Sequence, residues 1–187
     1  MSPLVTQVTE VEQTDPCGNN EQIENAFGCV FCMTGQEDLI AKRMSKVSSV
    51  TYAYPVIQVK HKSVSGEKLH CYERVFPGYV FFKADNELDL LTLMLVPGVL
   101  RVLKDHDNNW ALSGSDREFV RWIIHHNGLI NVSQAHREGD KVVFHDGLLK
   151  DYESSVIKVD KHRGNALVAL RFIEIVFRVW MAFDWID

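Results

Sequence analysis

Cys29-Val30-Phe31-Cys32 has the C-x-x-C spacing of a dithiol redox pair or of half a zinc site. Zinc needs two further ligands, and the chain carries no second C-x-x-C and no H-x₃₋₅-H pair. A redox dithiol sits at a helix N-terminus, whereas these cysteines lie inside the apolar run Phe27 to Met33, which reads as a strand. Residues three apart on a strand face opposite sides, so both thiols are expected to act as small buried hydrophobes. His125-His126 ends a helical pattern without a carboxylate or nucleophile to work with. Gly35 and Gly66 stand alone, so there is no glycine-rich phosphate loop. The chain is expected to be a binding protein, not an enzyme, with no cofactor and no metal. A redox enzyme using Cys29 and Cys32 is one rival, and it would lose activity on Cys32→Ser.

Two groups of residues are suited to binding. Tyr79 and Phe81 lie two apart on one strand and leave the same face, with Val80 and Phe82 opposite. Phe76, just before the Pro77-Gly78 turn, can join the first pair. Aromatics remove large apolar areas from water with few rotamers to freeze, which suits an interface as well as a core. Lys161-His162-Arg163, before Gly164-Asn165, is a clustered cationic turn. With Lys150 and Arg171 it is a candidate for contacting phosphate or stacking on an unpaired RNA base. The alternative is a solvated hairpin tip. Trp180 and Trp185 are assigned to packing.

These residues need a frame, and 187 residues allow one ordinary domain or two small ones. The net charge of -5 is concentrated: residues 1 to 27 hold five acids and no Lys or Arg, and the remainder carries twenty of each sign. A neutral body cannot rely on bulk counterion release, so any nucleic-acid contact must be local. No stretch approaches the roughly 20 apolar residues of a membrane span, and no secretory signal opens the chain. With four cysteines and no sign of a disulfide framework, the cytoplasm is expected.

Residues 1–26 read as a disordered acidic extension. A first domain over 27–128 begins with the strand at Phe27, then a helix from Gln36 to Val47 with Thr34 as its cap. A hairpin joins Val56–Lys62 to Leu69–Arg74 across Ser65-Gly66. A strand follows the Pro-Gly turn, and a helix spans Glu87 to Leu95 with Asn86 as its cap. A strand at Val99–Leu103 precedes a helix opened by Ser113 or Ser115 and running to His126, with Phe119, Val120 and Ile123 as its buried stripe. Residues 129–137 read as a polar linker. From 138 to 187 come five short strands, Lys141–His145, Ser155–Val159, Ala166–Arg171, Ile175–Trp180 and Phe183–Ile186. A small closed barrel is expected, since an open sheet of that size exposes its edges. The fold class is α+β.

Several strings resemble the NusG family of transcription elongation factors, over roughly residues 27 to 187. Phe27 to Glu37, ending Thr34-Gly35-Gln36-Glu37, is similar to the family's first strand and turn. Arg74-Val75-Phe76-Pro77-Gly78-Tyr79-Val80-Phe81 carries its F-P-G-Y phrase, and Val96-Pro97-Gly98-Val99 its next marker. Glu138-Gly139-Asp140-Lys141-Val142, Asp146-Gly147 and Val159-Asp160 resemble the KOW motif. The resemblance implies an NGN α/β sandwich followed by a five-stranded KOW barrel, and a monomer is expected. It implies RNA polymerase as partner: Phe76, Tyr79 and Phe81 gripping the clamp helices, and Asp89-Leu90-Leu91-Thr92 meeting the gate loop. An RNA or DNA element would recruit the factor. The family's Trp-Tyr opening is Phe27-Gly28 here, the expected KOW glycine is Ser154, and the Phe-Gly-Arg string is Ile173-Glu174-Ile175. The last departure puts docking to ribosomal protein and termination factor in doubt, and resembles a specialised antitermination paralogue of the RfaH or LoaP kind. A KOW-type RNA-binding protein of the ribosome is the other rival. It calls for a basic barrel, and residues 132–187 hold 8 Lys and Arg against 9 Asp and Glu.

Overall fold

The computed structural model describes residues 25–64, 67–85 and 87–186. The acidic extension lies outside them except for its last two residues, as do the Ser65-Gly66 turn and the Asn86 cap.

The first half is built on a four-stranded sheet. Its strands are β1 (Asn25–Cys32), β2 (Val50–Tyr54), β5 (Tyr79–Asp85) and β6 (Val99–Val102), in the order β2-β5-β1-β6. β1 and β5 run antiparallel with Cys29 opposite Phe81 and Val30 opposite Val80. Alternation along both strands gives the sheet two apolar faces, so it separates two cores. Val30, Cys32, Val80 and Phe82 pack with α1 (Glu37–Met44) and α2 (Leu90–Met94) through Ile40, Met44 and Leu93. Phe27, Cys29 and Phe81 pack with α3 (Gly114–His125) through Phe119, Val120 and Ile123. That helical stripe is the one its spacing predicts. The hairpin of β3 (Ile57–Val64) and β4 (Glu67–Arg74) pairs with β7 (Leu129–Ile130) in a separate three-stranded sheet.

The second half is a five-stranded sheet in the order β10-β11-β12-β8-β9. It comprises β8 (Ser133–Glu138), β9 (Lys141–Phe144), β10 (Val156–Asp160), β11 (Asn165–Phe172) and β12 (Ile175–Trp185). The expected closed barrel is not formed: β9 and β10 are the two edges and do not pair, leaving a half-barrel. The cause lies between them. β9 has four residues, and the chain then turns into α4 (Gly147–Asp151) and a 3-10 turn at Glu153–Ser155. Leu148 and Leu149 of α4 are both 1% exposed and fill the core that a closing strand pair would seal.

Other expectations are corrected. The linker over 129–137 instead contains β7 and most of β8, where Ser133 and Ala135 turn inward. Ile175–Trp180 and Phe183–Ile186 are one strand, since Met181-Ala182 carries no breaker. Thr34 does not cap α1; Gln36 holds that position without a side-chain bond. α2 is shorter than expected and starts at Asp89, whose carboxylate accepts the Leu91 amide at 3.0 Å.

Candidate functional site

The Pro77-Gly78 turn that launches β5 is tied down by one buried carboxylate. Glu37, 1% exposed, accepts the Gly78 amide at 2.8 Å and the Gly35 amide at 3.0 Å, while Arg74 Nε stands 3.7 Å away. Burial opposes its charge, but the Gly78, Glu37 and Gly35 amides and the Arg74 guanidinium outweigh this and hold its carboxyl below the usual range. Gly78 has φ +84, and a Cβ there would stand 2.9 Å from the Phe31 ring. The Thr34-Gly35 and Pro77-Gly78 turns are therefore fixed by one side chain.

From that turn β5 presents its aromatics. Phe76, Tyr79 and Phe81 come together on the α3 side of the sheet, as their spacing requires. Phe76 and Phe81 have no exposed surface and Tyr79 is half-buried. Part of what covers them is the half-barrel. Phe177 lies 4.7 Å from Phe76 and 5.8 Å from Tyr79 by ring centroid, and Phe172 lies 5.2 Å from Phe81 and 5.7 Å from Phe119. Polar contacts line the same seam. Trp122 Nε1 donates to Asp151 at 2.7 Å, the Ile173 amide donates to Asp116 at 3.1 Å, and His61 Nε2 stands 3.1 Å from Asp184. Ile173 and Glu174, at the tip of the β11–β12 hairpin, have φ +42 and +63. A β-branched residue in the left-handed region is strained.

Asp89, Leu90, Leu91 and Thr92 lie apart from this cluster, on α2. Asp89 also accepts the Thr92 hydroxyl at 3.0 Å, so both are engaged in capping. Leu91 is 72% exposed, as are its neighbours Met94 by 42% and Leu95 by 80%. Met94 and Leu95 are not among the contact residues expected from the sequence. The signal was a helix with four apolar residues of five and room to bury one, Leu93.

Lys161, His162 and Arg163 form the β10–β11 turn, where Asp160 accepts the amides of His162 and Arg163 at 3.1 and 3.0 Å. The Arg163 and His162 amides hold the Asp160 carboxyl below its usual range. Lys161 Nζ donates to the Asp140 carbonyl, and Arg163 Nε stands 3.9 Å from Asp160. Lys150 lies on α4 and Arg171 on β11, on elements separate from that turn. Trp185 packs on Phe183, whereas Trp180 is 38% exposed.

Cys29 and Cys32 face opposite cores and neither is exposed. Burial raises the Cys29 thiol, and burial with the Glu37 charge pushes Cys32 to about 11. Neither is poised as a thiolate nucleophile. Among the described residues no group of three or more His, Cys, Asp or Glu is placed to hold a metal, and no helix is long and apolar enough to cross a membrane.

The family model described as "Transcription termination factor nusG" matches residues 27–121, which takes in β1 through most of α3. The chain belongs to the NusG family. That family consists of non-enzymatic transcription termination and elongation factors that bind RNA polymerase. A solved structure described as "Domain interaction in Thermotoga maritima NusG" is similar over 85% of this chain and 94% of that one, with a TM-score of 0.52 and 19% identity. At that identity the likeness speaks for the fold of both halves. No curated protein matches. Within the NusG frame, Gly28 has a local explanation: a Cβ there would stand 2.5 Å from the Phe82 ring, which lies against Trp110. The large ring on β5 occupies the space that a side chain on β1 would otherwise need.

Proposed function

We propose that this NusG-family protein is an elongation and antitermination factor that rests with its polymerase-binding face covered. Tyr79, with Phe76 and Phe81 behind it, grips the clamp helices of RNA polymerase once the half-barrel swings away. The observation that carries this is the placing of Phe172 and Phe177 directly over those three rings. A second contact, to the gate loop, falls to α2 and its C-cap, where Leu91, Met94 and Leu95 offer apolar surface left exposed among the described residues. Binding both sides of the polymerase channel favours its closed state and suppresses pausing and termination. The released half-barrel is then free to engage RNA or another factor. The Ile173-Glu174 tip, seated in the seam, fits a specialised paralogue better than a housekeeping member. Such a factor works in the cytoplasm as a monomer.

The test is retention of the full chain by elongating RNA polymerase. Native protein and Phe177→Ala should both be retained, the variant more strongly, and Phe177→Ala with Tyr79→Ala should be retained less than Phe177→Ala alone. Failure of both native and Phe177→Ala to bind overturns the proposal. Equal retention of the double and single variants removes the site and leaves the partner.

A further inference from the structure

β11 and β12 pair in continuous register from Asn165–Ala182 to Phe172–Ile175, and their two faces have different surroundings. Leu170, Phe172 and Phe177 point to the core and the seam. The residues between them face outward. Leu167 stands opposite Trp180, Ala169 opposite Arg178 and Arg171 opposite Val176, and on the next strand Lys158 stands opposite Leu167. Directly opposed residues of an antiparallel pair share a face. Trp180, Arg178, Arg171 and Lys158 therefore belong to one surface, and all four are exposed.

The charges on this face are free in a way that those of the nearby turn are not. Among the described residues Lys158, Arg171 and Arg178 make no ion pair, and the Trp180 indole N–H has no acceptor. Arg171, at the far end of the pair, also lines a cleft at the seam with four carboxylates, Asp105, Asp107, Asp116 and Glu174, so its surroundings are acidic. The acid nearest in register, Asp160, is committed to the His162 and Arg163 amides. In the turn, by contrast, Lys161 and Arg163 are each held by a local acceptor.

We propose that this outward face binds single-stranded RNA, with a base stacked on Trp180 and the backbone phosphates met by Arg178 and Lys158. Residues two apart on a strand are spaced about 6.8 Å, so Arg178 stands beside the stacked base on the same strand. An exposed aromatic set among unpaired cations is the arrangement that binds single strands with little sequence preference. An acidic peptide would satisfy the cations but offer the indole no planar face. Because the seam uses the opposite face of the same two strands, RNA can dock while Phe172 and Phe177 still cover the first domain. The inference deepens the proposed function by naming the ligand of the half-barrel, and its test makes no use of polymerase.

The full chain is titrated with fluorescein-labelled oligouridylate, followed by anisotropy and by indole fluorescence. Native protein should bind with quenching. Trp180→Ala should bind about tenfold more weakly and Trp180→Phe within about threefold, both with native circular dichroism. Arg178→Gln should flatten the log-log salt slope by about 0.7, the increment for one phosphate contact on a single strand. Lys161→Gln with Arg163→Gln should leave binding within about twofold. Absence of binding, unchanged affinity of Trp180→Ala, or preference for duplex RNA overturns the proposal. Equal quenching by polyglutamate also overturns it and assigns the face to an acidic protein. Any of these results leaves polymerase retention, and hence the broader reading, untouched.

Discussion

Glu37 joins two turns that lie far apart in sequence, and the chemistry of that one carboxylate explains why the strings around Gly35 and Gly78 occur together. Two amide hydrogen bonds to an ionised, buried acceptor are each worth about 1.5–3 kcal/mol. Glu37→Ala should therefore cost about 3 kcal/mol or more in urea unfolding, and Glu37→Gln somewhat less, since an amide oxygen replaces one acceptor only. The folded carboxyl titrates below its unfolded value of 4.5. Its stabilisation is thus complete above that pH and is lost as pH falls through the lower folded value. The stability gap between native protein and Glu37→Gln should narrow below about pH 4.5; a gap unchanged at pH 3 would show that the charge is irrelevant. The two strand cysteines give a simpler expectation. Unexposed and with raised pKa values, Cys29 and Cys32 should be alkylated by iodoacetamide only on unfolding, as read by peptide mass spectrometry.

Elements carried by a strong period were legible in the sequence, and those carried by tertiary context were not. The apolar runs of β1 and β5 and the Phe119-Val120-Ile123 stripe of α3 appear where their spacing places them. β8 escaped notice because Ser133-Gln134-Ala135-His136-Arg137-Glu138 offers one apolar residue; it is a strand because Phe183 to Trp185 of β12 supplies a parallel partner. α4 was hidden by Asp146-Gly147, which reads as a turn, and the cost of that misreading was the closed barrel. Within the site, the grouping of Phe76, Tyr79 and Phe81 followed from strand geometry, but their covering by Phe172 and Phe177 is a contact between halves that no local pattern encodes. The β11–β12 hairpin invites its own test. Two-residue turns with positive φ at both positions favour Asn-Gly, and here Ile173 and Glu174 fill them. Glu174→Gly should raise stability by about 1 kcal/mol, since a left-handed conformation costs a side-chain-bearing residue 1–2 kcal/mol and the exposed pair with His106 contributes little. A loss of stability in urea titration would mean that the Glu174 side chain matters more to the seam than the backbone strain does.

At the scale of the whole molecule the two halves share one apolar cluster, running from Phe27 and Phe81 through Phe119 to Phe172 and Phe183. A shared core makes closure cooperative with folding, yet the seam also contains polar contacts that water can replace, such as Trp122 to Asp151 and Ile173 to Asp116. Under the proposed function, polymerase binding through Tyr79 requires this seam to open, so apparent affinity falls in proportion to the fraction of molecules that are open. Loosening the seam should raise that fraction without altering the binding face. Phe177→Ala removes the ring that touches both Phe76 and Tyr79. If truncation weakens closure by about 1.4 kcal/mol, apparent polymerase affinity rises about tenfold while closure still dominates. Tyr79→Ala lies on both sides of this balance, because it loosens the seam and removes a polymerase contact. Phe177→Ala with Tyr79→Ala should therefore bind more weakly than Phe177→Ala alone, measured as a dissociation constant for the elongation complex. Equal binding by the double and single variants would mean that opening exposes some other surface, with the α2 leucines the next to replace.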